Sequence, residues 1–168
     1  MNDQTAIWFV QKYKNEIRLI DYYENSGFGL DHYADILKNK GYEYSTHIFP
    51  HDVKIRELGN YGKTRLDSLL ELGIVGEVAP KISIEDGIEA VRKNLVNCWF
   101  DKDKCATGIE YLKAYQKKWD EKAQVFKSKP LHNFASHCSD AFRTGIVGQG
   151  IELSNWEKEV PINTNYIV

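Results

Sequence analysis

Three residues of this chain combine the type and spacing that chemistry needs. They are Asp52, at the end of Thr46-His47-Ile48-Phe49-Pro50-His51, and the pair His137 and Asp140 within Asn133-Phe134-Ala135-Ser136-His137-Cys138-Ser139-Asp140-Ala141-Phe142-Arg143. The first run reads as a short buried strand, so Asp52 falls just past its carboxyl end, where open α/β sheets place ligands. In the second run Phe134, Cys138, Ala141 and Phe142 share one helical face, with His137 and Asp140 side by side at its edge. Carboxylate oxygens are the donors hard divalent cations prefer, and an imidazole beside them can orient water or protonate a leaving group. Together they suit a divalent cation acting on a phosphate ester. Each has a plainer reading. Asp52 can simply end a strand, His137 can be a satisfied boundary histidine, and Asp140 can pair with Arg143 at i+3, a contact worth ~0.2–0.5 kcal/mol.

Other motifs carry less. His47, His51 and His132 invite a zinc reading, and His47 and His51 have a ligand-like interval, but on a strand residues four apart lie ~13 Å apart, too far for one tetrahedral zinc ion, and no Cys-x-x-Cys accompanies them. Gly59-Asn60-Tyr61-Gly62-Lys63-Thr64 looks like a phosphate loop, yet Glu57 stands where that motif needs its first glycine. The better reading is a loop with Thr64 capping a helix. Lys54, Arg56, Lys63 and Arg65 concentrate positive charge just after Asp52, where a phosphate backbone bound there would lie. A second basic stretch from Lys113 to Lys129 interleaves lysines with aromatics, and Lys117, Lys118 and Lys122 are its candidate nucleic-acid contacts. The alternative is a solvated charged face.

The elements that must position these residues follow from periodicity. Thr5–Gln11 and Glu16–Tyr23 are rich in β-branched and aromatic residues and predict a hairpin. Leu30, Tyr33, Ala34 and Leu37 predict a helix stopping at Gly41; Leu66, Leu69 and Leu70 a short one ending near Gly73. A strand is expected over Glu77–Lys81. Ser83 with Asp86 resembles a capping box and opens a helix with Ile84, Ile88, Val91, Leu95 and Trp99 on one face. Cys105–Tyr115 predicts a further helix, Gln124–Lys127 an extended piece, and Asn133–Thr144 the closing helix. Residues 148–168 read as a linker or loosely docked tail after a domain of residues 1–147.

At 168 residues, 42% hydrophobic, the chain suits one α/β domain with a real core. Its net charge of −2 gives no global attraction to nucleic acid, so any such contact is local. Three cysteines without a leader-like N-terminus fit reduced thiols, with Cys98 and Cys138 expected on apolar helix faces. No apolar run approaches the ~20 residues of a spanning helix, so a membrane is not an expected partner.

The order and spacing of Asp3-Gln4-Thr5-Ala6-Ile7-Trp8-Phe9, Ile20-Asp21-Tyr22-Tyr23-Glu24, Pro50-His51-Asp52, Trp119-Asp120-Glu121-Lys122 and Ser136-His137-Cys138-Ser139-Asp140-Ala141-Phe142-Arg143 resemble the C-terminal nuclease domain of the large terminase subunit of tailed bacteriophages. The resemblance implies an RNase H-like mixed sheet flanked by helices. It implies cleavage of double-stranded DNA during genome packaging, with little sequence specificity, by two Mg²⁺ or Mn²⁺ ions. It matches Asp52 and Asp140 to two metal-binding acids and His137 to a histidine near the metals. Portal, procapsid and small terminase subunit are the implied partners, and the host bacterial cytoplasm the implied location. One departure matters: the family's first strand carries an Asp-x-Gly whose aspartate bridges the metals, and this chain opens just after it. Asp3 belongs to the turn that follows and does not replace that acid. The expectation is therefore a nuclease domain lacking its first strand, able to self-associate through the exposed edge of Thr5–Gln11. The alternatives are a non-catalytic fragment that keeps DNA- or portal-binding surfaces and a different RNase H-like nuclease acting on branched DNA.

Overall fold

The computed structural model describes residues 4–56 and 62–150. Asp3, Glu57, the Gly59–Tyr61 part of the loop and the tail from residue 151 lie outside the described residues. The chain begins with the predicted hairpin, longer than its composition suggested: β1 (Gln4–Tyr13) and β2 (Glu16–Ser26) pair antiparallel through a tight turn with Lys14 at φ 53°. The register slips between Phe9 and Val10, so that Val10 faces Leu19 while Phe9 faces Asp21 and Ile20 bulges out. A bulge reverses side-chain parity. Hence Ile17, Leu19 and Tyr22 all point into one core, whereas Asp21 turns to the opposite face.

Helix α1 (Leu30–Asn39) buries Tyr33 and Ala34 and ends before Gly41, whose φ of 71° suits a residue without a side chain. Strand β3 (His47–Phe49) leads into a one-turn 3₁₀ helix over His51–Lys54, so the buried run of the sequence reading is a three-residue, half-buried strand. Helix α2 (Arg65–Glu71) starts with a complete capping box: the Thr64 hydroxyl accepts from Asp67 N, and Thr64 N donates to the Asp67 carboxylate. It ends at Gly73, φ 78°. Strand β4 (Gly76–Val78) lies parallel to β3.

Helix α3 (Ile84–Leu95) is capped by Ser83 as expected but stops at Leu95. Trp99 and Cys98 belong instead to β5 (Cys98–Phe100), parallel to β2, and Trp99 is 63% exposed. Helix α4 (Ala106–Ala114) follows. Strands β6 (Lys117–Asp120) and β7 (Val125–Pro130) then form a separate hairpin, where only the second strand was anticipated. Helix α5 (Ala135–Gly148) starts after Phe134, which is exposed, and buries Ala135, Cys138, Ser139, Phe142 and Ile146. It runs through Gly145 to Gly148, into the stretch expected to be a tail.

Two cores result. The first joins Ile17, Leu19, Tyr22, Ala90, Cys105, Cys138, Phe142 and Ile146 between the β1-β2-β5 sheet and α3, α4 and α5. The second joins Ala34, Val53, Leu69 and Ile74 around the β3-β4 sheet. Helix α5 packs against both β1 and β3. Among the described residues, β1 and β3 each keep one edge without a strand partner.

Candidate functional site

Asp52 sits where the sequence placed it. Pro50 opens the 3₁₀ turn in extended conformation, Val53 N donates to Pro50 O at 3.1 Å and Ile55 N to Asp52 O at 2.9 Å. Val53 is buried in the second core, and this anchor leaves Asp52 exposed on the turn between His51 and Lys54.

His137 and Asp140 lie on the first two turns of α5, flanking the buried Cys138 and Ser139. Asp140 accepts an ion pair from Arg143 at 2.9 Å, so the plainer reading of this residue is realised in the fold. Burial raises the Asp140 carboxyl above 3.8, while Arg143, His137 and His132 pull it down. The His132 and His137 rings meet edge to face, 5.5 Å apart. Tyr115, at the end of α4, completes the neighbourhood: burial and the Asp140 charge push its phenol up, with Arg143 acting against them. Arg143 reaches this position because α3 presents Gly87 there; a Cβ on Gly87 would overlap the Arg143 side chain. Nothing in the periodicity pointed to Tyr115 or to the Gly87 passage, whereas His132 entered only as one of the three histidines weighed for zinc.

Thus His137 and Asp140 come together with His132, Tyr115 and Arg143. Asp52 makes no hydrogen bond or ion pair with any of them. Among the described residues no three His, Cys, Asp or Glu side chains converge to hold a metal ion. The donor chemistry of Asp52, Asp140 and His137 suits Mg²⁺ or Mn²⁺, but the residues present do not by themselves fit a two-ion centre. Burial lifts the Cys138 thiol to about 12 and the Cys98 thiol to about 11.

The basic candidates divide. Lys54 is exposed beside Asp52. Arg56 bridges antiparallel to Thr64 and so closes the loop whose tip lies outside the described residues. Lys63 pairs with Glu71 at 2.5 Å on the surface, and Arg65 opens α2. Lys117 and Lys118 lie on β6 and Lys122 in the turn that follows it, all exposed.

A buried polar cluster escaped the sequence reading altogether. Asp21, turned by the β2 bulge, accepts from Lys40 Nζ at 2.5 Å, Tyr42 Oη at 3.2 Å and Tyr22 N at 2.8 Å. Lys40 also lies over the Phe9 ring.

No protein-family model matches the sequence, and no curated protein gives a significant match. Two solved structures share the fold. One is the large terminase of a thermophilic bacteriophage, with TM-score 0.63 and 19% identity, over 86% of this chain and 36% of that one. The other is the same terminase in complex with ATP-γ-S, with TM-score 0.62 and 20% identity over the same shares. The chain therefore has a mixed α/β fold like that of a large terminase, consistent with the RNase H-like architecture expected, and spans about a third of those chains' length.

Proposed function

We propose that the chain is the nuclease-type domain of a phage DNA-packaging terminase, with Asp52, Asp140 and His137 as its share of a Mg²⁺ or Mn²⁺ site for hydrolysis of double-stranded DNA. The fold shared with a large terminase carries this reading. The exposed acid past β3 and the basic residues after it support it, since phosphate contacts position a duplex without reading its bases.

The arrangement of the two sheets bears on how Asp52 and Asp140 would share one site. β1 and β3 both pack on α5, and the Phe9 ring of β1 lies 6.2 Å from that of Tyr44, just ahead of β3. Ser139 Oγ on α5 and Gln149 Oε1 just past its end are buried and have no hydrogen-bond partner among the described residues. A strand laid between the β1 and β3 edges would unite the sheets. The resemblance implies that such a strand brings the Asp-x-Gly acid, which would stand between Asp52 and Asp140. The second reading is a domain that keeps DNA- or portal-binding surfaces and performs no chemistry. Portal, procapsid and small subunit remain partners by resemblance, as does the bacterial host cytoplasm. An unpaired β1 edge also favours self-association, readable as concentration-dependent sedimentation.

The test is nicking of supercoiled plasmid with Mn²⁺ by this chain, its Asp140→Ala variant and a form extended upstream by a strand carrying Asp-x-Gly. Cleavage confined to the extended form, and lost there with Asp140→Ala, supports the nuclease reading and the incomplete site. Cleavage by the chain alone means Asp52 and Asp140 suffice. No cleavage by any folded form refutes the nuclease reading and leaves the docking module.

A further inference from the structure

The β6–β7 hairpin stands apart from both cores and packs chiefly on itself, closed at its base by Leu131 N donating to Gln116 O at 2.8 Å. Its turn is held by Asp120, whose carboxylate accepts from Lys122 N and Ala123 N at 3.0 and 3.2 Å, and Gln124 takes a φ of 52°. Trp119 and Phe126 face each other across the strands, ring centroids 4.8 Å apart at 70°, and are 43% and 62% exposed. Residues 117–130 carry five lysines against Asp120 and Glu121, in a chain whose net charge is −2. Lys127 pairs with Asp120; among the described residues Lys117, Lys118, Lys122 and Lys129 meet no carboxylate.

An exposed aromatic pair ringed by unpaired ammonium groups is complementary to a polyanion that also offers flat π-faces. In a duplex those faces are covered by stacking; in a single strand they are open, and stacking on an aromatic side chain is worth ~1–3 kcal/mol per base. We propose that the β6–β7 hairpin binds unpaired bases of DNA, Trp119 and Phe126 stacking on them while Lys117, Lys118 and Lys122 hold the flanking phosphates. This rests on the reading above only for the choice of DNA as the polyanion. The competing account is structural: an isolated two-stranded hairpin is marginal, and a cross-strand aromatic pair contributes ~0.2–1 kcal/mol to holding it.

The experiment measures anisotropy of a labelled oligothymidine and of a blunt duplex of equal length, in EDTA so that no strand is cut. The intact chain is compared with three variants. The first, Trp119→Leu with Phe126→Leu, keeps an apolar cross-strand pair but removes both π-systems. The second, Trp119→Phe, keeps a π-face. The third combines Lys118→Gln and Lys122→Gln. The expected result is preference for oligothymidine, its affinity falling about tenfold in the leucine variant and largely retained in Trp119→Phe, with duplex affinity unchanged by either. The glutamine variant should weaken both ligands and flatten their salt dependence. Equal affinity for the two DNAs, unchanged oligothymidine binding in the leucine variant, or binding of neither DNA would overturn the proposal. Because no cleavage is read, stacking with no nicking by any folded form, the extended one included, would sink the nuclease reading alone, and nicking without stacking the hairpin proposal alone.

Discussion

Removing Lys40 should destabilise the fold more than removing the carboxylate it pairs with. The side chain of Asp21 is 7% exposed and that of Lys40 28%, so the two ends of the ion pair are unequally desolvated. Breaking a fully buried pair costs ~3–5 kcal/mol, mostly because the remaining charge is stranded. In Lys40→Met the stranded charge is the Asp21 carboxylate, left among the described residues with Tyr42 Oη and Tyr22 N as direct donors and with the Lys104 ammonium acting on it from beyond Tyr42. Discounting for the partial exposure of Lys40, the expected loss is about 2–3 kcal/mol. In Asp21→Leu the stranded group is an ammonium that can swing to solvent, and the expected loss is about 1–2 kcal/mol, chiefly the unmet donors. The double variant removes both charges from an apolar setting beside Phe9 and should lose less than the sum of the two single losses, with a coupling of about 1–2 kcal/mol that leaves it about as stable as Lys40→Met. Urea unfolding of the four proteins at neutral pH reads these values; by heat, each kcal/mol corresponds to about 2–4 °C in Tm. Additive losses in the double variant would show that no charge coupling exists across Asp21 and Lys40, and a larger loss in Asp21→Leu than in Lys40→Met would reverse the assignment of the stranded charge.

Three further outcomes are expected. Thr64→Ala should cost about 1 kcal/mol by opening the capping box, with faster amide exchange at Asp67 as its local signature. Burial holds the half-buried His47 below 6.5, so in the window beneath 6.5 the unfolded chain binds the extra proton and stability falls as pH drops. His47→Leu should therefore lose less stability than the parent between about pH 7.5 and pH 5, and identical slopes would exclude His47 as the cause. Gly148→Val should destabilise by about 1–3 kcal/mol, because a Cβ there overlaps Ile48 Cγ2, with the larger rise in hydrogen exchange falling in β3 and β4 rather than in β1 and β2.

What the sequence disclosed was local. Leu30, Tyr33, Ala34 and Leu37 announce α1 by spacing; Ser83 and Thr64 announce helix starts by side-chain chemistry; Gly41 and Gly73 announce stops by positive φ. The misses have local mimics. Trp99 continues the helical spacing of α3 by coincidence, yet Asn97 N turns back to Asn94 O and the chain leaves the helix to pair with β2. β6 was hidden by its charges, since its strand form rests on pairing with β7 rather than on burial. The periodicity closes the last helix at Thr144, but α5 continues through Gly145 to Gly148, where the missing side chain lets the helix approach Ile48 and Ala79. The Asp21 to Lys40 pair depends on a one-residue bulge, which no alternation of residue types reveals.

Helix α5 links the two halves of the proposed site. Its Cys138, Phe142 and Ile146 are fixed in the first core, and Trp8 Nε1 donates to Cys138 O at 3.1 Å, so β1 sets where Asp140 stands. Its last turn, through Gly148, rests on Ile48 in β3, and β3 sets where Asp52 stands. The two acids are therefore positioned by different sheets that share a helix. Among the described residues the β1 and β3 edges are unpaired, and packing against α5, the rings around Phe9 and Tyr44 and the Asp21–Lys40 pair between β2 and α1 join the two halves. A metal centre demands ligands held within about half an ångström, which packing across two unjoined sheets does not provide and a hydrogen-bonded strand between them would.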